Sequence, residues 1–257
     1  MKLHTTSYGE TGSPVVVLHG LFGSARNWMT VARRLSGQHR VVAADLRNHG
    51  ASPWTESMSY PEMAGDVYDT ITALGLGPVA LVGHSMGGKA AMLTALRYPE
   101  AVERLVVVDV APVEYPPAFA DYARAMRTAR LEGVRRRAEV DEQLAAVEPS
   151  PAVRAFLLQN LVLDEAGARW RPNLAVIEAA LPAISGWPDV AASYAGPVLF
   201  VYGGRSGYVR PDCYDTVHRL FPAARFAQIP EAGHWVHAER MEDFLAVLTD
   251  FLPGAPS

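Results

Sequence analysis

Cysteine is nearly absent: Cys213 is the only one in 257 residues, so no intrachain disulfide can form. Such usage suits a reducing compartment, and a cytoplasmic location is the expectation. Long apolar runs are missing too. The N-terminus carries one lysine and then polar residues, and Val15-Val16-Val17-Leu18 is far too short for a signal segment or a membrane span. Positive charge is not in excess. With 23 Lys and Arg against 27 Asp and Glu, the net charge of −4 lacks the basic footprint of a nucleic-acid binder. No Cys/His cluster has metal-ligand spacing, and no Rossmann or Walker glycine pattern follows a strand. No cofactor, metal, nucleic acid or membrane partner is therefore expected.

What is present is an apolar fraction of 49 %, enough for a sizeable core in one α/β domain. Short β-branched runs at 15–18, 41–44, 79–82, 105–108 and 198–201 end in turn or polar residues, and 225–229 is a last strand candidate. Helical spacing separates most of them. Trp28, Val31, Ala32 and Leu35 share one face, as do Met63, Val67, Ile71 and Leu74. Residues 90–96 follow the third run, and Met241, Phe244, Leu245 and Leu248 form a final amphipathic pattern. Alternation of this kind predicts a mostly parallel sheet with helices on both faces.

The alternation stops after Asp109. Residues 118–131, 138–147, 152–163 and 174–183 read as helices, with no convincing strand between 111 and 196. The expected organisation is a core of residues 1–110 and 197–257 with a helical lid at 111–196. An insertion at the carboxyl edge of a parallel sheet lies over the ligand crevice. The tail, 253–257, is expected to fray.

The strongest chemical signal is Gly83-His84-Ser85-Met86-Gly87-Gly88, a G-x-S-x-G pattern between an apolar strand and a helix. Ser85 would sit on a tight strand-to-helix turn, and glycines at 83 and 87 remove side chains that would clash there. The turn presents a hydroxyl nucleophile at a helix N-terminus, where N–H groups favour developing negative charge. Such charge needs an oxyanion hole. One donor is expected from Met86, the other from the loop His19-Gly20-Leu21-Phe22-Gly23-Ser24, with Leu21 first and Phe22 as the alternative.

Of eight histidines, only His234 and His237 lie in the loop after the last strand. His234, beside Gly233, is the expected base, and His237 a structural partner. His84 is expected to point away from the nucleophile and His19 to brace its own loop. In many α/β-hydrolases the acid is an Asp after the strand that here is 198–201, but this chain has Ser206 there, which carries no charge. Asp109 is the first alternative. It ends the strand that follows the nucleophile strand, and neighbouring strand ends lie about 5 Å apart. The order Ser85, Asp109, His234 suits the fold. Asp212 is the rival.

His19-Gly20-Leu21-Phe22-Gly23-Ser24, Asp45-Leu46-Arg47-Asn48-His49-Gly50, Gly83-His84-Ser85-Met86-Gly87-Gly88-Lys89, Asp109-Val110-Ala111-Pro112-Val113 and Gly233-His234-Trp235-Val236-His237-Ala238-Glu239 together resemble the YbfF-type esterases of the α/β-hydrolase superfamily. The likeness runs from Leu18 to Glu239, densest in the core and thin in the insertion. It implies an α/β-hydrolase fold and carboxylesterase activity on a small acyl ester, with acyl-CoA thioesters as an open extension. It also implies an acid after the earlier strand. Perhydrolase, lactonase or C–C hydrolase chemistry on the same scaffold stays open, as does a low-turnover ligand-binding homologue. Monomer and homo-oligomer are both open.

Phe22, Tyr115, Phe119, Trp187, Tyr208 and Trp235 are candidates for an acyl pocket, since they fall in or beside the expected crevice. Arg47 is expected to brace a loop, Lys89 to be a surface or packing residue, and Arg135-Arg136-Arg137 to form a solvated helix face.

Overall fold

The computed structural model describes residues 1–116 and 119–254. The first residue of the helix expected at 118–131 and positions 255–257 of the tail lie outside the described residues.

Six of the strands are the apolar runs read from the sequence: β2 (Ser13–Leu18), β3 (His39–Ala44), β4 (Val79–His84), β5 (Val102–Val108), β8 (Val198–Gly203) and β9 (Ala224–Ile229). All six run parallel. A seventh, β1 (Thr5–Tyr8), pairs antiparallel with β3 at the edge. The order is β1-β3-β2-β4-β5-β8-β9. Successive side chains of a strand point to opposite faces. Thus Val16, Leu18, Leu81, Leu105 and Val107 join one buried cluster, and Val15, Val17, Ala80, Val82, Val106 and Val108 the other. Burial on both faces explains why these strands are continuous apolar runs.

Helices α1 (Met29–Leu35) and α10 (Met241–Phe251) cover one face, with Val31, Leu35, Phe244 and Leu248 packed into it. Helices α2 (Tyr60–Ala73) and α3 (Met86–Arg97) cover the other. The short helices α8 (Tyr214–Leu220) and α9 (Val236–Glu239) flank β9. After β2 the chain moves to β3 on one side and then crosses to β4 on the other. That reversal opens a crevice at the carboxyl ends of β2 and β4, where ligands of open α/β sheets bind.

Between β5 and β8 lie α4 (Ala120–Thr128), α5 (Arg137–Leu144), α6 (Pro151–Leu158) and α7 (Leu174–Ser185). The segment is not wholly helical, which corrects the expectation. After α6 the chain forms a hairpin of β6 (Leu161–Asp164) and β7 (Gly167–Trp170). The two-residue connection Glu165-Ala166 closes at Gly167, whose φ of +109° is open to glycine.

Candidate active site

Ser85 lies between β4 and α3 with φ +52° and ψ −119°. A non-glycine residue there is strained, and the surroundings hold it in place. Its N–H continues the sheet ladder to the Val108 carbonyl at 3.0 Å, and its carbonyl accepts the first bond of α3 from Lys89 N at 3.1 Å. The turn closes because no side chain stands between its arms. A Cβ on Gly83 would fall 2.2 Å from the Gly87 carbonyl oxygen, and one on Gly87 2.5 Å from that of His19.

Asp109 ends β5 next door, also at positive φ (+53°) and wholly buried. Its carboxylate accepts three bonds: Gly203 N on Oδ1 (3.0 Å), and Ser206 Oγ (2.5 Å) and His234 Nδ1 (2.6 Å) on Oδ2. Donation from Nδ1 fixes the tautomer and leaves Nε2, on the opposite edge of the ring, for the cavity that His234 and Ser85 both line. Tyr208 stacks on the imidazole with centroids 4.3 Å apart. Asp212 is exposed and pairs with Arg210 at 3.0 Å, so it takes no part in this cluster.

The loop His19–Ser24 is braced by two histidines. His19 Nδ1 donates to the Gly20 carbonyl (2.8 Å), and its Nε2 accepts from Leu46 N (2.9 Å). His49 Nδ1 donates to the Arg47 carbonyl (3.0 Å), and its Nε2 accepts from Phe22 N (3.2 Å). Both rings are used as neutral imidazoles. Burial lowers the pKa of His19 and takes that of His49 down to about 3. Because the Phe22 N–H is directed at His49, Leu21 is the residue of this pair whose N–H stays available. Met86 opens α3, so its N–H has no acceptor within the helix.

A cavity of ≈ 550 Å³ extends from Ser85 between the sheet top and the insertion. Of the expected pocket residues, Phe22, Phe119, Tyr208 and Trp235 line it. Tyr115 does not; it borders a second, smaller chamber, and its hydroxyl donates to the Tyr208 carbonyl at 2.6 Å. Trp187 borders neither. It packs beside Tyr60, with ring centroids 6.3 Å apart. Tyr122, Phe156 and Leu157, which sequence reasoning did not single out, complete the wall from α4 and α6. Helical spacing marks them as apolar-face residues without saying which face meets the crevice. Asn160 also went unnoticed: its buried amide donates to the Phe22 carbonyl at 2.7 Å and ties the segment between β5 and β8 to the loop after β2.

His84 does not turn away from the site. It lines the cavity, its ring centroid lies 4.7 Å from that of His234, and its Nε2 donates to the His234 carbonyl at 2.9 Å. His237 is buried and stacks on Trp28 at 4.4 Å, and burial takes its pKa down to about 3. Arg47 braces its loop through Asp66 at 2.6 and 3.0 Å. Lys89 is 1 % exposed, so it is no surface residue. Among the described residues, no group of three or more His, Cys, Asp or Glu comes together as a metal site, and no helix is long and apolar enough to cross a membrane.

With this geometry in view, the α/β hydrolase fold family matches residues 13–240. The chain belongs to that family. It is 42 % identical over 252 residues to the sn-1-specific diacylglycerol lipase ABHD11 of Xenopus laevis, covering 95 % of this chain and 81 % of that protein. It is 36 % identical over 252 residues to Esterase YbfF of Escherichia coli K12, covering 98 % of both. Among solved structures, a marine microorganism esterase superposes with a TM-score of 0.94 at 34 % identity, covering 98 % of this chain and 99 % of that one. The resemblance to the YbfF-type esterases thus extends along 98 % of this α/β-hydrolase chain, and these three relatives carry the names of ester-hydrolysing enzymes.

Proposed function

We propose that the chain is a serine carboxylesterase of small acyl esters, working through Ser85, His234 and Asp109 without a cofactor, in the cytoplasm. His234 Nε2 takes the Ser85 proton as Oγ attacks the ester carbonyl. Asp109 holds the imidazole in the required tautomer and stabilises its positive charge. The N–H groups of Leu21 and Met86 bind the oxyanion, a contribution of several kcal/mol. The alcohol leaves with a proton from His234, and water repeats the sequence on the acyl-enzyme. Acyl-CoA thioesters would follow the same steps. Residues 111–196 act as a lid that keeps water from the cavity.

The observation that carries this reading is the 2.6 Å contact of buried Asp109 with His234, whose ring lines the same cavity as a strained serine. Replacing Ser85 with alanine is expected to lower hydrolysis of p-nitrophenyl acetate by about 10³-fold or more, with an unchanged circular-dichroism spectrum. Full activity in that variant removes the reading.

A further inference from the structure

Ser85 stands between two chambers of unequal size. The larger, ≈ 550 Å³, is lined by His234 and by the apolar walls of α4 and α6. The smaller, ≈ 40 Å³, is bordered by Met86, Val110, Tyr115, Leu181 and Ile184. Leu21, Ser85, Phe119 and Tyr208 border both, whereas His234 borders only the larger.

We infer that the small chamber takes the acyl substituent and the large one the leaving group, so that the preferred substrates are short-chain esters of bulky apolar alcohols or thiols. This rests on the serine-esterase reading and adds which end of the ester lies where. Four substituents surround the carbonyl carbon in the tetrahedral intermediate. Ser85 Oγ is one. The oxyanion is a second, held by the N–H groups of Leu21 and Met86. The leaving atom is a third, and it must come within hydrogen-bond reach of the imidazole that protonates it. That ring faces the large chamber alone. The fourth substituent, the acyl chain, is left with the small one. In the first half-reaction the Oγ–C bond forms, the bond from C to the leaving atom breaks, and the serine proton ends on the leaving group. In the second, water oxygen bonds to carbon, the Oγ–C bond breaks, and the proton returns to Ser85.

Size and rigidity set the limit. The small chamber offers about three times the space one water needs, enough for on the order of three non-hydrogen atoms beyond the carbonyl carbon. Hydrogen bonds among its own bordering residues and their neighbours fix its walls. Lys89 Nζ donates to the carbonyls of Val113 (2.7 Å), Ser185 (3.1 Å) and Gly186 (2.7 Å), joining the start of the insertion to its end. Tyr60 donates to the Ile184 carbonyl at 2.7 Å. Lys89, Tyr60 and Ser185 border the chamber themselves, and those bonds engage their polar atoms, so Met86, Val110, Leu181 and Ile184 give the acyl chain its apolar surface.

The test is a series of p-nitrophenyl esters from acetyl to decanoyl, beside a series of acetates of growing alcohols. For the wild-type chain, kcat/KM is expected to fall at least about tenfold from butanoyl to octanoyl and to rise with alcohol size. Leu181→Ala should raise the octanoyl-to-acetyl ratio by about fivefold or more, and Ile184→Val, a milder change, should move it the same way. Wild-type turnover of octanoyl or longer esters equal to that of acetate overturns the partition. Failure of a fluorophosphonate to label Ser85, with no ester hydrolysed, overturns the esterase reading and this inference with it. Labelling with long chains preferred overturns the inference alone.

Discussion

Ser206 Oγ donates to Asp109 Oδ2 at 2.5 Å, and that same oxygen receives the His234 Nδ1–H at 2.6 Å. The position after β8, where many α/β-hydrolases carry the acid, is held here by a hydroxyl that bonds to a carboxylate from the adjacent strand. The two sites face each other across one hydrogen bond, which sets Ser206 beside the carboxylate oxygen that the imidazole bonds.

An exchange of the acid follows. Asp109→Asn should lower kcat by about 10³- to 10⁴-fold through the wrong tautomer. The fold should survive, because Asn tolerates the φ of +53° at this position. Adding Ser206→Asp to that variant should recover at least about tenfold of the loss, since a carboxylate again orients the ring. Kinetics with p-nitrophenyl acetate check both steps. A double variant as slow as Asp109→Asn would mean that the loop after β8 cannot hold the acid in register.

The elbow is predicted to reject any side chain at position 87. Three backbone atoms lie within 2.8 Å of where its Cβ would be, and none belongs to a flexible group. Gly87→Ala should cost about 2–3 kcal/mol, because β2 or α3 must move to relieve the overlap. Urea unfolding measures this; a loss below about 0.5 kcal/mol would show that the turn adapts.

Lys89 is expected to be a stability determinant although it sits one helical turn from Ser85. Three carbonyls accept from one ammonium, and Tyr115 lies with its ring centroid 4.7 Å from Nζ. Burial opposes the charge and takes its pKa down to about 7. Lys89→Met removes the buried charge but strands three acceptors, and the second effect should win, with a loss of about 3 kcal/mol. Differential scanning fluorimetry should show a lowered Tm, and proteolysis should cut the insertion first. An unchanged Tm contradicts the bracing role.

Acid should unfold the protein through its histidines. His49 and His237 titrate at about 3 in the fold because burial disfavours their charged forms, against an ordinary value of 6.5. Burial pushes His84 well below it too. Between these limits the unfolded chain binds more protons than the folded one, so the histidines' contribution is whole above pH 6.5 and is lost as the pH drops toward 3. Tm should decline steeply below pH 6, and the lowered Lys89 pKa should let it climb further above pH 7. His237→Phe keeps a ring to stack on Trp28 and should make that decline shallower. An identical acid limb in this variant would exclude His237 as a contributor.

Much of this molecule was legible because its chemistry demands local patterns. The runs at 15–18, 79–82 and 105–108 are apolar on both faces and could hardly be anything but central strands. Gly83 and Gly87 announce a tight turn around Ser85. The misses have physical causes as well. Thr5–Tyr8 is a polar edge strand, paired on one side only, so no apolar alternation marks it. Residues 161–163 continue the apolar pattern of α6, and only Gly167 hinted at a hairpin. Which aromatics would face the cavity depended on how the insertion lies on the sheet. That placement rests on long-range contacts such as Asn160 to Phe22, 138 residues apart, and no local pattern records it.

The strand that supplies Asp109 is the immediate neighbour of the one that supplies Ser85, and each residue's amide is stitched to the strand beyond it. Proposed acid and nucleophile are therefore carried by adjoining strands of one sheet, and the loop from Gly204 to Val209 adds only the Ser206 bond to the carboxylate. Changes at Tyr208, which lines the cavity and stacks on the imidazole, would reshape the space beside the ring, while the distance between hydroxyl and carboxylate stays set by the interstrand spacing.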